Sequence, residues 1–299
     1  MKGYPIIRFL AIAIIISVSM VWGCQPIDFT DAVVAHIQSE TVTDSYQSEP
    51  IDLSSIAVSN TTETLTGGRY SDPSRMIMGL GNIDDRFKCA VVTHTPDPAT
   101  SSTKPMGTIT IDFGTGCADN HGKTRKGMII VQYAGKRFWP GSTVVITSKD
   151  FYKNDVRVDG KLTLTNVTAS QADFPKFQIV LSGGKLTFTD GRTATREHSM
   201  TREWQRGATP DLDKWIEEGT SSGTNKNGKS YQMTITNRLV YARSCELNNK
   251  VFIPVSGTKR LLVDKKEVII DYGDGTCDNI INVTINGKTK TEILSDKGN

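Results

Sequence analysis

Downstream of Cys89 the apolar positions fall at every second residue, almost to the C-terminus. Gly107–Phe113, Met128–Tyr133, Val144–Thr147, Val156–Leu164 and Phe177–Leu181 alternate in this way. They are followed by Leu186–Thr189, Ala194–Trp204, Tyr231–Leu239, Val251–Val255, Glu267–Tyr272, Ile280–Ile285 and Thr289–Leu294. Val, Ile, Thr, Phe and Tyr dominate these runs, as suits a pleated surface buried on one side. Only Asp211–Glu218 reads as a helix or a loop in this region. Gly-basic corners punctuate the runs: Asp159-Gly160-Lys161, Gly183-Gly184-Lys185, Asp190-Gly191-Arg192, Asn227-Gly228-Lys229 and Asn286-Gly287-Lys288. Asn-Gly and Asp-Gly supply the positive φ that tight hairpins require. The expectation is all-β: a long antiparallel meander, curled into a barrel or folded into two layers because a lone flat sheet leaves one face bare. The basic residues keep corners soluble; consecutive corners of a meander alternate between its ends, which argues against one basic rim.

The upstream pattern is different. Lys2 and Arg8 precede an uncharged apolar run, Phe9 to Val21, which is too short for a comfortable span of about 20 residues. Residues 1–23 read as an export signal ending at Gly23-Cys24, which resembles the lipobox of bacterial lipoproteins and implies lipidation of Cys24. Residues 24–86 then form the anchor and a polar segment. Phe29, Ala32, Val33, His36 and Ile37 recur at helical spacing, and the remainder reads as a flexible Ser/Thr/Asp/Glu linker. The β domain occupies 87–299.

Two phrases within that domain repeat. Ile111-Asp112-Phe113-Gly114-Thr115-Gly116-Cys117 returns as Ile270-Asp271-Tyr272-Gly273-Asp274-Gly275-Thr276-Cys277. Each closes a unit (89–135 and 245–294) that opens on another cysteine, Cys89 or Cys245. Five cysteines is an odd number; assigning Cys24 to lipid leaves two per unit. The duplication favours Cys89–Cys117 and Cys245–Cys277 among the three possible connectivities, and an exported chain meets oxidising conditions.

The net charge of +3 gives no reason to expect a nucleic-acid partner. Asp271, Asp274 and Asp278 make a weak calcium candidate, because the EF-hand frame is absent and the first copy has Thr115 in place of Asp274. Arg196, His198, Arg202 and Trp204 share one face of a predicted strand and form a candidate ligand face, with Trp204 as a stacking platform. None of His36, His94, His121 and His198 stands in a catalytic motif, and Gly122-Lys123-Thr124 lacks the rest of a P-loop. Glu197 with Glu203 or Asp173 is the carboxylate pair a glycoside hydrolase would need. No cofactor is expected.

The chain resembles a group of exported, uncharacterised lipoproteins of Bacteroidota. The resemblance runs over about residues 85–294, through IDFGTGCADNHGKTRKGMIIVQYAGK, GKLTFTDGRTATREHSMTREW, GTNKNGKSYQMTITNRLVYARSC and IIDYGDGTCDNIINVTINGKT. It implies an outer-membrane lipoprotein, periplasmic or at the cell surface, held by its N-terminal lipid; it transfers no activity. The expected function is non-catalytic, structural or binding, with a glycan, lipid or envelope protein as ligand. A lipid or glycolipid carrier or glycan-binding module, and a glycan hydrolase, are the alternatives.

Overall fold

The computed structural model describes residues 43, 45–59, 80–120, 122–249, 251, 253–263 and 266–294. The export signal, Cys24 and the helical spacing at Phe29–Ile37 lie outside the described residues.

The alternating runs become one antiparallel sheet: β1 (Val91–Pro96), β2 (Met106–Asp112), β3 (Cys117–Ala118), β4 (Thr124–Ala134), β5 (Thr143–Lys153), β6 (Val156–Asn166), β7 (Lys176–Thr187), β8 (Thr193–Gln205), β9 (Lys214–Thr224), β10 (Ser230–Ala242), β11 (Ser256–Val263), β12 (Lys266–Asp274), β13 (Ile280–Ile285) and β14 (Lys288–Ile293). Every strand pairs with its sequence neighbour except β3, which adds only to β4, so the expected meander is what forms. The sheet is not closed. One free edge, β14, is exposed and carries Lys288 and Lys290, charges that discourage edge pairing.

Alternation puts one residue in two on the inner face, and register joins these into rows. One row runs Ile109, Val131, Ile146, Leu162, Leu181, His198, Ser221, Met233, Leu261, Val268, Ile285. It is apolar at both flanks and polar where β8 meets β9. The core divides accordingly. One cluster lies over β1–β8 and another over β10–β13, with Met200 touching both.

Two of the expected corners are not corners. Asp159-Gly160-Lys161 lies within β6 and Gly183-Gly184-Lys185 within β7, so Phe177–Leu181 and the first half of Leu186–Thr189 belong to one strand, which ends at Thr187. They are adjacent bulges, marked by register shifts at 159/161 in the β6–β7 ladder and at 181/184 in the β7–β8 ladder. Gly160 (φ +144°) and Gly184 approach so closely that a Cβ on Gly160 would stand 3.1 Å from the Gly184 Cα. Glycine here serves strand contact and added twist, not reversal. The segment expected as a helix or loop, Asp211–Glu218, is a short 3-10 turn (Pro210–Leu212) followed by β9. The inner positions of β9 are Trp215, Glu217, Gly219 and Ser221, so the apolar alternation that reveals a strand is missing.

Part of the expected linker is a helix. Residues 45–59 form α1, which packs Leu53, Ala57 and Val58 onto the first core, with Tyr46 beside them. Tyr46, Pro50, Leu53 and Ala57 follow helical spacing, as do Ile51 and Val58. Pro50 removes one internal hydrogen bond but is itself buried, and tertiary packing outweighs that loss. Only Asp52 of α1 is exposed. A helix covered on so many sides lies in a trough, which fits a strongly bulged sheet that bends around it. Two further helices are short: α2 (Leu80–Ile83) and α3 (Arg243–Asn249).

Both cysteine pairs join as expected, Cys89–Cys117 with Cα atoms 5.9 Å apart and Cys245–Cys277 with 5.1 Å. The repeated turns are built alike. Asp112 Oδ1 accepts the Gly114 N–H at 2.7 Å, Asp271 Oδ1 accepts that of Gly273 at 2.9 Å, and Phe113 and Tyr272 are both buried. Yet β2 and β12 stand an odd number of strands apart in an antiparallel order, so they run oppositely. The two turns and their disulfides therefore sit at opposite ends of the sheet, called below the Asp112 end and the Asp274 end.

Candidate functional site

Glu49 of α1 is buried, with a side chain only 4 % exposed, and is paired with Arg125 of β4 and Lys153 of β5. Arg125 also donates to Asp119 at 2.8 Å, so two acids balance two bases under the helix. Burial alone would raise the Glu49 carboxyl, but the charges of Lys153 and Arg125 hold it below its ordinary value. The Lys153 ammonium also lies 5.3 Å from the Tyr46 ring centroid. This cluster seals the trough at the Asp112 end, where β4 begins and β5 stops.

Towards the Asp274 end the helix and sheet part. A cleft of about 80 Å³ opens between the C-terminal half of α1 and the inner face of β5–β9. Its walls are apolar, from Ile51, Val58, Ile146, Leu164, Phe177 and Ile179. Its polar groups are Ser54, Ser55, Ser142, Arg137 and Arg202. Ser54 is the most informative of these. It is 1 % exposed, and its Oγ has no hydrogen-bond partner among the described residues. A buried hydroxyl left in that state costs about 1–3 kcal/mol. Arg137 reaches the helix end by donating to Ser59 Oγ, and Arg202 pairs with buried Glu217 of β9.

An aromatic cluster forms the floor of the opening. Trp204 stacks on Trp215 at 5.5 Å and meets Phe138 at 5.3 Å, while Phe138 meets Phe177 edge-on at 6.3 Å. The Trp204 Nε1–H donates to Asp213 Oδ2 at 2.9 Å, and the Arg206 guanidinium lies 4.9 Å from its ring centroid. Trp204 is thus half-buried, with Trp215, Phe138 and Arg206 against its ring. The four candidate residues do share one face of β8, but they divide in depth. Arg202 lines the cleft, Trp204 supports it, Arg196 is buried (2 %), and His198 faces Leu181 and Ser221 in the central polar stretch.

The other candidates scatter. Asp271, Asp274 and Asp278 each bind the backbone of their own turn, accepting from Gly273, Thr276 and Ile280. Among the described residues no three His, Cys, Asp or Glu side chains converge on a metal position. Glu197 and Glu203 lie six residues apart on one strand, about 20 Å by strand rise, beyond any glycosidase spacing. Asp173 is taken up by the Ser170 N–H and hydroxyl. His94 Nε2 lies 2.7 Å from the Tyr133 hydroxyl. Burial lowers the His94 pKa and pushes Tyr133 up to about 12, so it opposes the charged form of both. Gly122-Lys123-Thr124 leads into strand β4, not into a phosphate-binding helix. His36 and His121 lie outside the described residues, and no described helix is long and apolar enough to cross a membrane.

Sequence reasoning missed Ser54 and Arg137. The periodicity of 46–58 could have shown α1; nothing local shows that its serine faces a cleft. Comparison with family models, curated proteins and solved structures gives no match to this chain.

Proposed function

We propose that the protein is a non-catalytic lipoprotein of the cell envelope that binds an amphiphile by its oxygen-rich anionic head, the cleft beside α1 taking that head and the first few methylenes while the rest of the acyl chain lies outside. The observation that carries this reading is the unpartnered, buried Ser54 hydroxyl aimed into an apolar cleft beside Arg137 and Arg202. Apolar walls with a few convergent polar groups are the usual form of a small-molecule site. A hydroxyl and two guanidinium groups suit carboxylate or phosphate oxygens. The export signal, Gly23-Cys24 and the resemblance to Bacteroidota lipoproteins support an outer-membrane location through lipid on Cys24.

The test separates binding from folding. Ser54→Ala removes a buried hydroxyl without a partner, so it raises unfolding free energy by about 1 kcal/mol in urea titrations. The same change weakens binding of a fluorescent long-chain fatty acid by up to about tenfold, the worth of one hydrogen bond. Ser54→Trp fills the cleft and abolishes binding while the far-ultraviolet circular dichroism stays that of the wild type. Unchanged fatty-acid affinity in both variants would refute the site.

A further inference from the structure

We infer that the Asp274 end of the sheet is a lipid-docking rim: its loop tips enter the interface of an anionic bilayer, a contact separate from any N-terminal lipid and independent of what the cleft holds. The two ends of the sheet are built differently. At the Asp112 end, strands β5–β10 are joined by short connections at 154–155, 188–192 and 225–229, whose one large apolar residue, Phe188, packs on the core, and residues 286–287 join β13 to β14. At the Asp274 end the corresponding connections span 135–142, 167–175 and 206–213. Loops of eight or nine residues are longer than hairpins require, and such loops commonly carry function.

Those longer loops raise large apolar side chains into solvent. Trp139 is on the first, Val167 and Phe174 on the second, and Leu212 on the third, all 44–51 % exposed (44 %, 47 %, 47 % and 51 %). Ile280 and Ile293, cross-strand partners, are exposed at the same end. Among the described residues, Val91 alone of the exposed large apolar side chains lies at the other end. Successive loops are two strands apart, so their tips stand about 10 Å from one another in a row. A folded protein partner wants a continuous patch of roughly 800 Å². A bilayer interface accepts separate aromatic and aliphatic wedges, with Trp at headgroup depth.

Charge agrees with an anionic surface. The three loops and the residue after each contain Lys136, Arg137, Lys176, Arg206 and Lys214 against Asp173, Asp211 and Asp213. One of those acids, Asp213, is buried and accepts from Trp204 and Gly207, while Asp173 is exposed and accepts from Ser170. The Lys136 ammonium sits 4.3 Å from the centroid of the Trp139 ring, placing a cation beside the aromatic tip.

The full chain, processed and lipidated by its expression host, is reconstituted in vesicles of equal parts phosphatidylethanolamine and phosphatidylglycerol with brominated acyl chains. Bromine quenches tryptophan emission only on contact. The quenched fraction is expected to fall roughly twofold in Trp139→Phe, because Trp139 is the tip that reaches the interface. The double variant Phe174→Asp, Leu212→Asp keeps Trp139 but lifts the rim, and is expected to lose the same quenching. Equal quenching in all three proteins, or none in the wild type, would overturn the proposal. So would a dimer seen by sedimentation without vesicles and lost in the double variant, since the rim would then be a contact between copies of the chain.

Discussion

Replacing Glu49 with Gln is expected to lower unfolding free energy by about 3–5 kcal/mol, the cost of leaving buried charge without its partner. Arg125 retains Asp119, but Lys153, also nearly buried, loses the carboxylate it faces. For a domain of this size the midpoint should drop by about 10 °C, at roughly 2–4 °C per kcal/mol. The damage is confined to one joint, so protease should cut between α1 and the sheet before the strands open. Adding Lys153→Met to Glu49→Gln restores charge balance, and the double variant should be more stable than the Glu49→Gln single. The same carboxyl sets a pH dependence. Its folded pKa is depressed, so its contribution is complete above the unfolded value of 4.5 and is lost as pH falls through the folded pKa. Wild-type stability should therefore fall in the acid range below about pH 4.5, and the Glu49→Gln protein should lack that part of the fall.

Removing either disulfide should cost about 3–4 kcal/mol by the loop-closure argument, given sequence separations of 28 and 32 residues. The two losses should add, because the bridges stand at opposite ends of the sheet with no shared partners. They should differ in where they act. Cys89→Ser with Cys117→Ser frees the segment of α2 and the 3-10 turn Asp85–Phe87. Cys245→Ser with Cys277→Ser frees α3 and its small core of Val251 and Val255. Hydrogen exchange checks this directly, as local protection lost at one end while the other end and the central strands keep theirs.

Much of the sheet was legible because its physics is local. Alternation gave most strands, and Asp190-Gly191, Asn227-Gly228 and Asn286-Gly287 are true corners. Gly160 and Gly183 misled because a bulge and a turn both require positive φ, and only a paired neighbour tells them apart. Strand β9 was hidden because, after Trp215, its inner positions are Glu217, Gly219 and Ser221, which face a polar stretch of the interior instead of a core. Helix α1 was hidden by Pro50 and its serines, whose cost is offset by burial that the segment itself does not contain. The repeated Cys units predicted the pairing correctly, yet they repeat a turn and a bridge at opposite ends of one sheet. The cleft could not be read at all. Its polar groups come from α1, from the loop before β5 and from β8, and meet only through the curl of the sheet.

An amphiphile bound in the cleft beside Ser54 should travel with the protein through purification. Native mass spectrometry of the full chain, purified in mild detergent from the cells that make it, reads this occupancy. The wild type should carry an adduct whose mass and fragmentation identify an acyl chain with an acidic head, and Ser54→Trp should lack it. A wild type free of adduct, or one whose adduct survives in Ser54→Trp, would contradict the account.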